Sequence, residues 1–350
     1  MVKVLLKKFI IGFGLLRSIR WLQRKLRGPG ITVIYGHRVI SDEDFANPAN
    51  HSRIAGHTCV SDLSNAIALL LEHGYKIISI DEAVQQFAKG EIKQDSVVLT
   101  FDDGFEDNLT NLLPILKKYD VPATCYINSS VIGTNKSLWF QSILNYFFSL
   151  DSKRVFVKLN SKEYDISTPK RTFRSAFRFT RYLQAEYPPE EFNRLIEEET
   201  NKKCLPSDKD KHLSWDDLET LKNEPLITLG AHSFNHYPLA MCDNSLAEFE
   251  ILESIRQLEN KLDIKIDHFS YPRGHVEDFN DFHKQVLSSA GISSAVSTIR
   301  GVNRLNVDMY SIKRVGLPAN TLEDKYDFMW HVAGAPQLLS KLKNKVRAKF

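Results

Sequence analysis

Short β-branched runs alternate with helical patterns along most of this 350-residue chain, and this alternation limits the folds open to it. Eight runs predict strands, at residues 31–35, 76–79, 97–101, 123–127, 226–230, 268–271, 293–297 and 310–314. Helical patterns lie between them, near residues 61–73, 81–89, 107–119, 214–223, 244–262 and 279–290. Such alternation predicts parallel strands joined by crossover helices. Seven or eight units favour a closed barrel, and the glycine-rich motifs of dinucleotide and phosphate loops are absent from the sequence.

Residues 135–212 interrupt this rhythm. Their patterns predict a helix, a hairpin, a basic helix and an acidic helix, at 139–150, 155–159 with 163–166, 170–185 and 189–200. This order is too regular for a linker, so we expect an insertion on one barrel loop. The predicted fold is an α/β protein with a deformed (β/α) barrel of about seven parallel strands at 31–320 and an inserted helical and hairpin subdomain.

The basic residues are concentrated at the two ends of the chain. Residues 1–30 hold eight basic and no acidic side chains, and residues 336–350 hold five basic and no acidic ones. The region between them contains 33 basic against 43 acidic residues. An acidic body argues against a general nucleic-acid surface, whereas basic ends favour contact with an anionic membrane.

The apolar residues of both ends recur at helical spacing. They form two stripes, of Leu15, Ile19, Leu22 and Leu26, and of Leu338, Leu342, Val346 and Phe350. We therefore predict a basic amphipathic helix within 1–30, over residues 2–27, and a basic helical extension at 321–350, both in peripheral contact with a membrane. The alternative is that both helices pack on the body. No apolar run reaches the roughly 18–20 residues of a membrane span, and a cleavable signal is not evident, so the cytoplasmic face of the inner membrane is the expected location.

Polar side chains follow four of the predicted strands. Asp102 and Asp103 follow the strand at 97–101, and His232 and His236 follow the strand at 226–230. The other two strands are followed by His37 and by Arg273. The carboxyl ends of parallel barrel strands share one face, so we expect these groups to converge there.

Each motif taken alone has a second interpretation. Adjacent aspartates also suit a turn or a helix N-cap, although Asp107 is the better N-cap candidate and Gly104 permits a sharp turn. The i, i+4 pair of His232 and His236 fits metal ligands but is ambiguous by itself, and a lone His37 also suits a structural role. Taken together, an Asp and two His with a spare carboxylate beside them predict a hydrolytic metal site.

Two segments carry a resemblance to a known family. Residues 98–104 (Val-Leu-Thr-Phe-Asp-Asp-Gly) and 232–236 (His-Ser-Phe-Asn-His) resemble the first two motifs of the polysaccharide deacetylase family, also called NodB-like or carbohydrate esterase family four. The resemblance covers roughly 31–320 and implies divalent-metal N-deacetylation of amino sugars on a deformed barrel. It implies that Asp102 is the general base and that Asp103, with the two histidines, holds the metal, for which zinc is expected.

Other segments of the family pattern are altered here. Tyr35-Gly36-His37-Arg38 resembles the early Tyr-His segment of exopolysaccharide deacetylases with permuted motif order, which implies that His37, rather than the later His331, is the general acid. Ser270 stands where the family often has an arginine that orients the base. Arg273 stands at the usual tyrosine position, and its backbone N–H would help to bind the oxyanion. We therefore predict Tyr271 and Arg273 as substrate-binding residues, and whether the Arg273 side chain replaces the missing arginine is left open.

The predicted function is metal-dependent removal of N-acetyl groups from amino sugars, in an envelope polysaccharide, an exopolysaccharide or a lipid-linked saccharide. The expected partner is an N-acetylated amino-sugar polymer or a lipid-linked oligosaccharide, with no nucleic acid. Two alternatives stay open. One is a deformylase or other deacylase of a lipid-linked sugar, and the other is a non-catalytic saccharide-binding descendant of such enzymes.

Overall fold

The computed structural model describes residues 15–47, 50, 57–150, 156–200, 210–318 and 321–336. The strands are β1 Ile31–Gly36, β2 Val39–Ile40, β3 Thr58–Cys59, β4 Lys76–Ile77, β5 Ser96–Phe101, β6 Ala123–Ile127, β7 Phe156–Leu159, β8 Lys162–Asp165, β9 Ile227–Ala231, β10 His268–Ser270, β11 Ser294–Arg300 and β12 Ile312–Gly316. The α-helices are α1 Leu15–Arg27, α2 Asp42–Ala46, α3 Val60–Glu72, α4 Ile80–Ala88, α5 Leu113–Tyr119, α6 Trp139–Ser149, α7 Pro169–Glu186, α8 Phe192–Thr200, α9 Trp215–Lys222, α10 Asn244–Leu262, α11 Asp281–Ser289 and α12 Thr321–Val332. A π-helical turn at Asn108–Leu112 precedes α5, and 3₁₀ turns lie at Pro189–Glu191 and Leu239–Met241.

Seven parallel strands close a barrel in the order β1, β12, β11, β10, β9, β6, β5, with β5 pairing back to β1. The short β4 adds to the beginning of β5 outside this ring. The predicted deformed (β/α) barrel of about seven parallel strands is therefore confirmed. The structure adds a small parallel pair, β2 with β3, which the sequence patterns did not predict.

Strand β5 shows how the two-residue period of a strand positions the site. All six of its residues are buried, as expected for a parallel strand covered on both faces. Val97, Leu99 and Phe101 belong to the main core, which includes the α3, α5, α9 and α10 packing layer, while Val98 belongs to a separate buried cluster. Thr100 lies on the same side of the strand as Val98 and contacts the buried Arg314. The register of β5 therefore directs the next residue of that series, Asp102, toward the barrel interior.

The insertion has a hydrophobic core of its own. Helix α6 packs against α7 and α8, and the hairpin β7–β8 is antiparallel as predicted. Its largest buried side chains are aromatic: Trp139, Phe147, Tyr164, Phe179 and Phe192. One hydrogen bond joins this core to the barrel rim, since the indole Nε1 of Trp139 donates to the backbone oxygen of His236 at 3.2 Å.

The two ends of the described chain both contact the barrel. In α1, Arg20 donates to the carbonyl of His73, lies 3.3 Å from the Asp95 carboxylate and stacks 3.9 Å from the Tyr75 ring centroid. Helix α12 packs on α3 and buries Phe328 and Met329 in the main core. Residues 2–14 of the predicted amphipathic helix, and the stripe from Leu338 to Phe350, lie outside the described residues. None of the described helices is long and apolar enough to cross a membrane.

Candidate active site

A cleft of about 600 Å³ opens at the carboxyl ends of the barrel strands. All seven predicted site residues line it: His37, Asp102, Asp103, His232, His236, Tyr271 and Arg273. The insertion supplies a further part of the lining through Trp139, Phe140, Leu144, Phe173 and Phe177. The barrel thus brings together residues that are more than 200 positions apart in the sequence.

The cleft contains a compact group of three residues of the types that bind metal ions: Asp103, His232 and His236. Their ligand atoms all lie within 4.8 Å of one another, and all three residues are buried. The Asp103 Oδ1 is 3.4 Å from Nε2 of His232 and 3.5 Å from Nε2 of His236, and it has no hydrogen-bond partner among the described residues. A buried carboxylate oxygen without a donor is costly unless a cation meets it. The three residues therefore fit a divalent metal such as zinc, with one side of the group open to the cleft.

The orientation of His232 is fixed by its second nitrogen. Nδ1 of His232 lies 2.7 Å from the carbonyl oxygen of Ser270, to which it donates. This hydrogen bond leaves the Nε2 lone pair facing Asp103, which is the tautomer that a metal ligand requires.

Several rim residues adopt the left-handed backbone region. The φ angles are +78° at Asp103, +61° at Ser233, +60° at His236 and +59° at Arg273. Non-glycine residues rarely adopt such angles, and the strain they carry is typical of functional loops. Gly104 follows with φ +69°, as its predicted turn requires, and a Cβ there would lie only 3.2 Å from Ile127.

Asp102 is held by a fully buried arginine. Arg314 Nη1 donates to Oδ1 of Asp102 at 2.9 Å and Nη2 donates to Oδ2 at 2.8 Å, which is a bidentate pair. The Ser270 hydroxyl adds a longer donation at 3.3 Å. Burial alone would raise the pKa of Asp102, but the charge of Arg314 and its hydrogen bonds outweigh burial and hold the pKa below its usual value. Asp102 is therefore ionised at neutral pH, as a general base must be.

Arg314 is the functional residue that the sequence interpretation missed. Its Nε donates to the Ser297 carbonyl at 2.9 Å and its Nη2 donates to the Ser270 hydroxyl at 3.0 Å. The Arg273 side chain does not replace the missing arginine, because its Nε lies 3.5 Å from the Asp278 carboxylate. Because residue 270 in β10 is a serine, that position supplies no arginine to Asp102. Arg314 in β12 makes this contact instead.

His37 lies in the cleft wall beside a second histidine that the sequence analysis did not single out. The His37 ring is 5.9 Å from the Tyr35 ring, edge-on, and 5.9 Å from the ring of His57. Desolvation, and then the neighbouring His37 and Arg38, lower the pKa of His57 well below its usual value, so His57 is neutral. By contrast, His331 in α12 hydrogen-bonds Asp327 and is not among the described residues that line the cleft.

The predicted N-cap role of Asp107 is wrong. Its side chain makes no capping hydrogen bond; its carboxylate instead accepts from Nε of Arg38 at 2.7 Å and from the backbone N–H of Val39 at 3.1 Å. Arg38 is buried and also pairs with Asp210, so two carboxylates compensate its charge. This network fixes the segment after β1 that carries His37.

Tyr271 and Arg273 line the cleft in different ways. The Tyr271 hydroxyl donates to the Tyr310 carbonyl at 3.1 Å, and its ring stacks on Phe279 with 4.0 Å between centroids. A substrate role for Tyr271 would therefore use other atoms than its hydroxyl. The carbonyl of Arg273 accepts from the Thr298 hydroxyl at 2.6 Å, which fixes its backbone at the cleft edge. Both substrate roles stay predictions.

A parallel barrel with an Asp/His/His group and an ionised carboxylate at its rim has the composition of a hydrolytic site. The chain belongs to the polysaccharide deacetylase family: the family profile with that description matches residues 89–295, more than half of the chain. This membership confirms the resemblance carried by the motifs at 98–104 and 232–236.

Relatives and solved structures agree with this membership. A poly-beta-1,6-N-acetyl-D-glucosamine N-deacetylase from Staphylococcus epidermidis is 30% identical over 103 residues, which is 28% of this chain and 36% of that protein. One from Staphylococcus aureus strain N315 is 36% identical over 73 residues, 21% of this chain and 25% of that protein. The aligned stretches thus span only a third and a quarter of those relatives.

Two solved structures resemble the whole barrel. The structure of IcaB from Ammonifex degensii superposes with a TM-score of 0.56 and 15% identity, covering 87% of this chain and 98% of that one. The Streptococcus pyogenes deacetylase PplD, in complex with acetate, superposes with a TM-score of 0.54 and 17% identity, covering 86% and 97%. At these identities the likeness concerns the fold.

Proposed function

We propose that this protein is a metal-dependent carbohydrate N-deacetylase acting on an exopolysaccharide or envelope polysaccharide of acetylated amino sugars. One observation carries the proposal: the buried group of Asp103, His232 and His236 lies beside an ionised Asp102 that Arg314 holds in place. The names of the aligned relatives support an N-acetylglucosamine polymer as the substrate class.

Five side chains of the cleft have a role in the proposed reaction. A divalent cation held by Asp103 and the two histidines would polarise the acetamide carbonyl and acidify a water molecule. Asp102 takes a proton from the attacking water, and its bonds to Arg314 keep it ionised and oriented. His37, which also lines the cleft, gives a proton to the departing sugar amine, and acetate is released. We assign the role of oxyanion donor to the backbone N–H of Arg273.

The alternatives from the sequence differ in what the site acts on. Removal of a formyl or other small acyl group from a lipid-linked sugar would use the same side chains. The aligned relatives are N-deacetylases by name, which favours acetyl as the acyl group. A non-catalytic saccharide-binding role is disfavoured by the complete ligand group and by the bidentate arginine behind Asp102.

Acetate release tests the proposal directly. Purified protein, after metal analysis, is incubated with N-acetylglucosamine oligomers, and acetate and the mass loss of the oligomer are measured. We expect release by the wild type, and a fall of about 10²–10⁴-fold for His37→Ala with metal content unchanged. Asp102→Asn should also keep its metal but lose activity. Bound metal without any release of acetate would overturn the enzymatic proposal in favour of saccharide binding.

We also propose peripheral contact with an anionic membrane through α1. Arg20 attaches the helix to the barrel, while Trp21 and Leu26 are 58% and 60% exposed and Leu22 is 39% exposed. An outward apolar strip with basic neighbours is typical of helices that lie in a membrane interface. Basic segments beside a membrane are found mostly on its cytoplasmic side, which favours the cytoplasmic face. Sedimentation with phosphatidylglycerol vesicles should fall for Trp21→Glu/Leu26→Glu relative to wild type, and unchanged sedimentation would overturn this proposal.

A further inference from the structure

The insertion forms an apolar wall of the cleft that the reaction itself does not need. Helix α6 contributes Phe140 and Leu144, and α7 contributes Phe173 and Phe177. Each pair is spaced i, i+4, so each helix presents one face to the cleft. These side chains reach well beyond the group of Asp103 and its histidines. The apolar wall can therefore contact a part of the substrate other than the acetamide that is hydrolysed.

Phe177 is not required by the core of the insertion. The buried face of α7 consists of Ala176, Phe179 and Leu183, which pack in the insertion core. Phe177 is instead 53% exposed at the cleft mouth. An exposed phenylalanine beside a site costs solvation unless a ligand covers it. Its position is thus better explained by binding than by folding.

The wall is continuous with the metal-ligand group. The Phe140 ring centroid lies 4.8 Å from that of His236, and the neighbouring Trp139 donates to the His236 carbonyl. From there the apolar surface extends to Phe177. The cleft volume of about 600 Å³ lies in the range of roughly 300–1,000 Å³ found for pockets that enclose ligands of several rings.

Polar side chains accompany the aromatic ones on the same face of α7. Thr180, Arg181 and Gln184 also line the cleft, and the Arg181 guanidinium lies 5.7 Å from the Phe177 ring centroid. A pyranose ring has one face of C–H groups and an edge of hydroxyls. Apolar rings beside hydrogen-bonding side chains match both. The Thr180 hydroxyl donates to the Ala176 carbonyl at 3.0 Å and can still accept from a sugar hydroxyl, whereas an acyl chain of a lipid would leave the heads of Arg181 and Gln184 without new partners.

We propose that the insertion is a second sugar subsite, in which Phe177 stacks on the pyranose next to the one that loses its acetyl group. Thr180 and Gln184 contact the hydroxyl edge of that neighbouring sugar. The inference rests on the proposed function and deepens it, because it assigns the residues that hold the sugar next to the reacting one. Phe177 is a specificity-determining residue and takes no part in the bond-breaking step.

The test compares Phe177→Ala with a matched control. Leu71 in α3 is 40% exposed and is not among the described residues that line the cleft, so Leu71→Ala removes an exposed apolar side chain elsewhere on the surface. We expect Phe177→Ala to raise KM for an N-acetylglucosamine pentamer by about 3- to 10-fold, the effect of one aromatic stack, with a smaller change in kcat. Phe177→Trp should restore KM, and Leu71→Ala should leave it unchanged.

A binding measurement separates the two proposals. Pentamer binding is measured by calorimetry in the Asp102→Asn background, with and without Phe177→Ala. A several-fold weaker affinity supports the subsite even if the wild type releases no acetate, in which case the deacetylase proposal alone fails. Equal KM and equal affinity for Phe177→Ala and the parent would overturn the subsite. So would a loss confined to binding of phosphatidylglycerol vesicles, which would assign Phe177 to a lipid surface.

Discussion

The barrel rim and the insertion wall face the same cleft but are built in different ways. On the rim, Asp102 and Arg314 are almost completely buried and paired through two hydrogen bonds. On the wall, Phe177 is half exposed on a helix surface. The chemical groups are therefore held by rigid strand ends, while the contact surface is carried by a unit with a hydrophobic core of its own.

The largest effect is expected on the rim, at the ligand group. Asp103→Ala removes the carboxylate that both histidines face, so metal content and acetate release should fall to background. The loss of metal affinity should exceed the roughly 10–100-fold that is typical when a residue that hydrogen-bonds a metal ligand is changed. Metal analysis after dialysis measures it, with the exposed Asp216→Ala as a control. A full equivalent of metal in Asp103→Ala would contradict the ligand role.

A change behind the general base should affect stability as well as activity. Arg314→Met leaves the Asp102 carboxylate buried without its partner, which costs about 3–5 kcal/mol of unfolding free energy. The double variant Arg314→Met/Asp102→Asn should recover much of this stability but no activity. Urea denaturation and acetate release measure the two quantities. If Arg273→Met had the larger effect on stability, the assignment of Arg314 would be wrong.

A substitution in the core of the insertion should destabilise a different part of the protein from a substitution on the barrel rim. Phe147 is buried in the insertion core against Tyr164 and Phe179, so Phe147→Ala should cost about 3–5 kcal/mol. Because this core is separate from the barrel core, hydrogen exchange should accelerate more in α6 and α7 than in β5 and β6. Equal acceleration in β5 and β6 would show that the two regions unfold as one unit.

The smallest effect is a pH dependence behind the histidine loop. Glu250 in α10 accepts from the backbone and side-chain nitrogens of Asn235, each at 2.7 Å, and burial raises its pKa to about 7. A raised pKa favours folding at low pH, and this contribution is lost as the pH rises through about 7. Relative to Glu250→Gln, the unfolding free energy of the wild type should fall by about 1–3 kcal/mol between pH 5 and pH 8. A pH-independent difference would contradict this environment for Glu250.

The sequence predicted the barrel and the ligand group because both depend on local patterns. The run before Asp102 is β-branched, and an aspartate pair before Gly104 or two histidines four residues apart are visible in the sequence itself. Arg314 was missed because its strand was predicted at 310–314, which left the arginine at the strand end. In the structure β12 is Ile312–Gly316, so Arg314 lies within the strand and points to Asp102 only after the barrel closes.

Asp107 and His57 illustrate the same limit. Asp107 precedes a helical pattern, so its position in the sequence favours an N-cap. In the structure its carboxylate binds the buried Arg38 instead, because a buried guanidinium needs a compensating charge. His57 directly precedes β3 and lies close to His37, and nothing in its spacing along the sequence indicates this. Long-range charge compensation and loop closure are set by the tertiary structure.

The hydrogen bond from the Trp139 indole to the His236 carbonyl has a thermodynamic consequence. A cation bound by the imidazole of His236 would steady the very backbone on which the first turn of α6 rests. By reciprocity, a well-packed insertion would then tighten cation affinity to the same degree that the cation protects the insertion from local opening. A single indole would thereby couple binding of the cation to the order of the surface that we propose for the sugar chain.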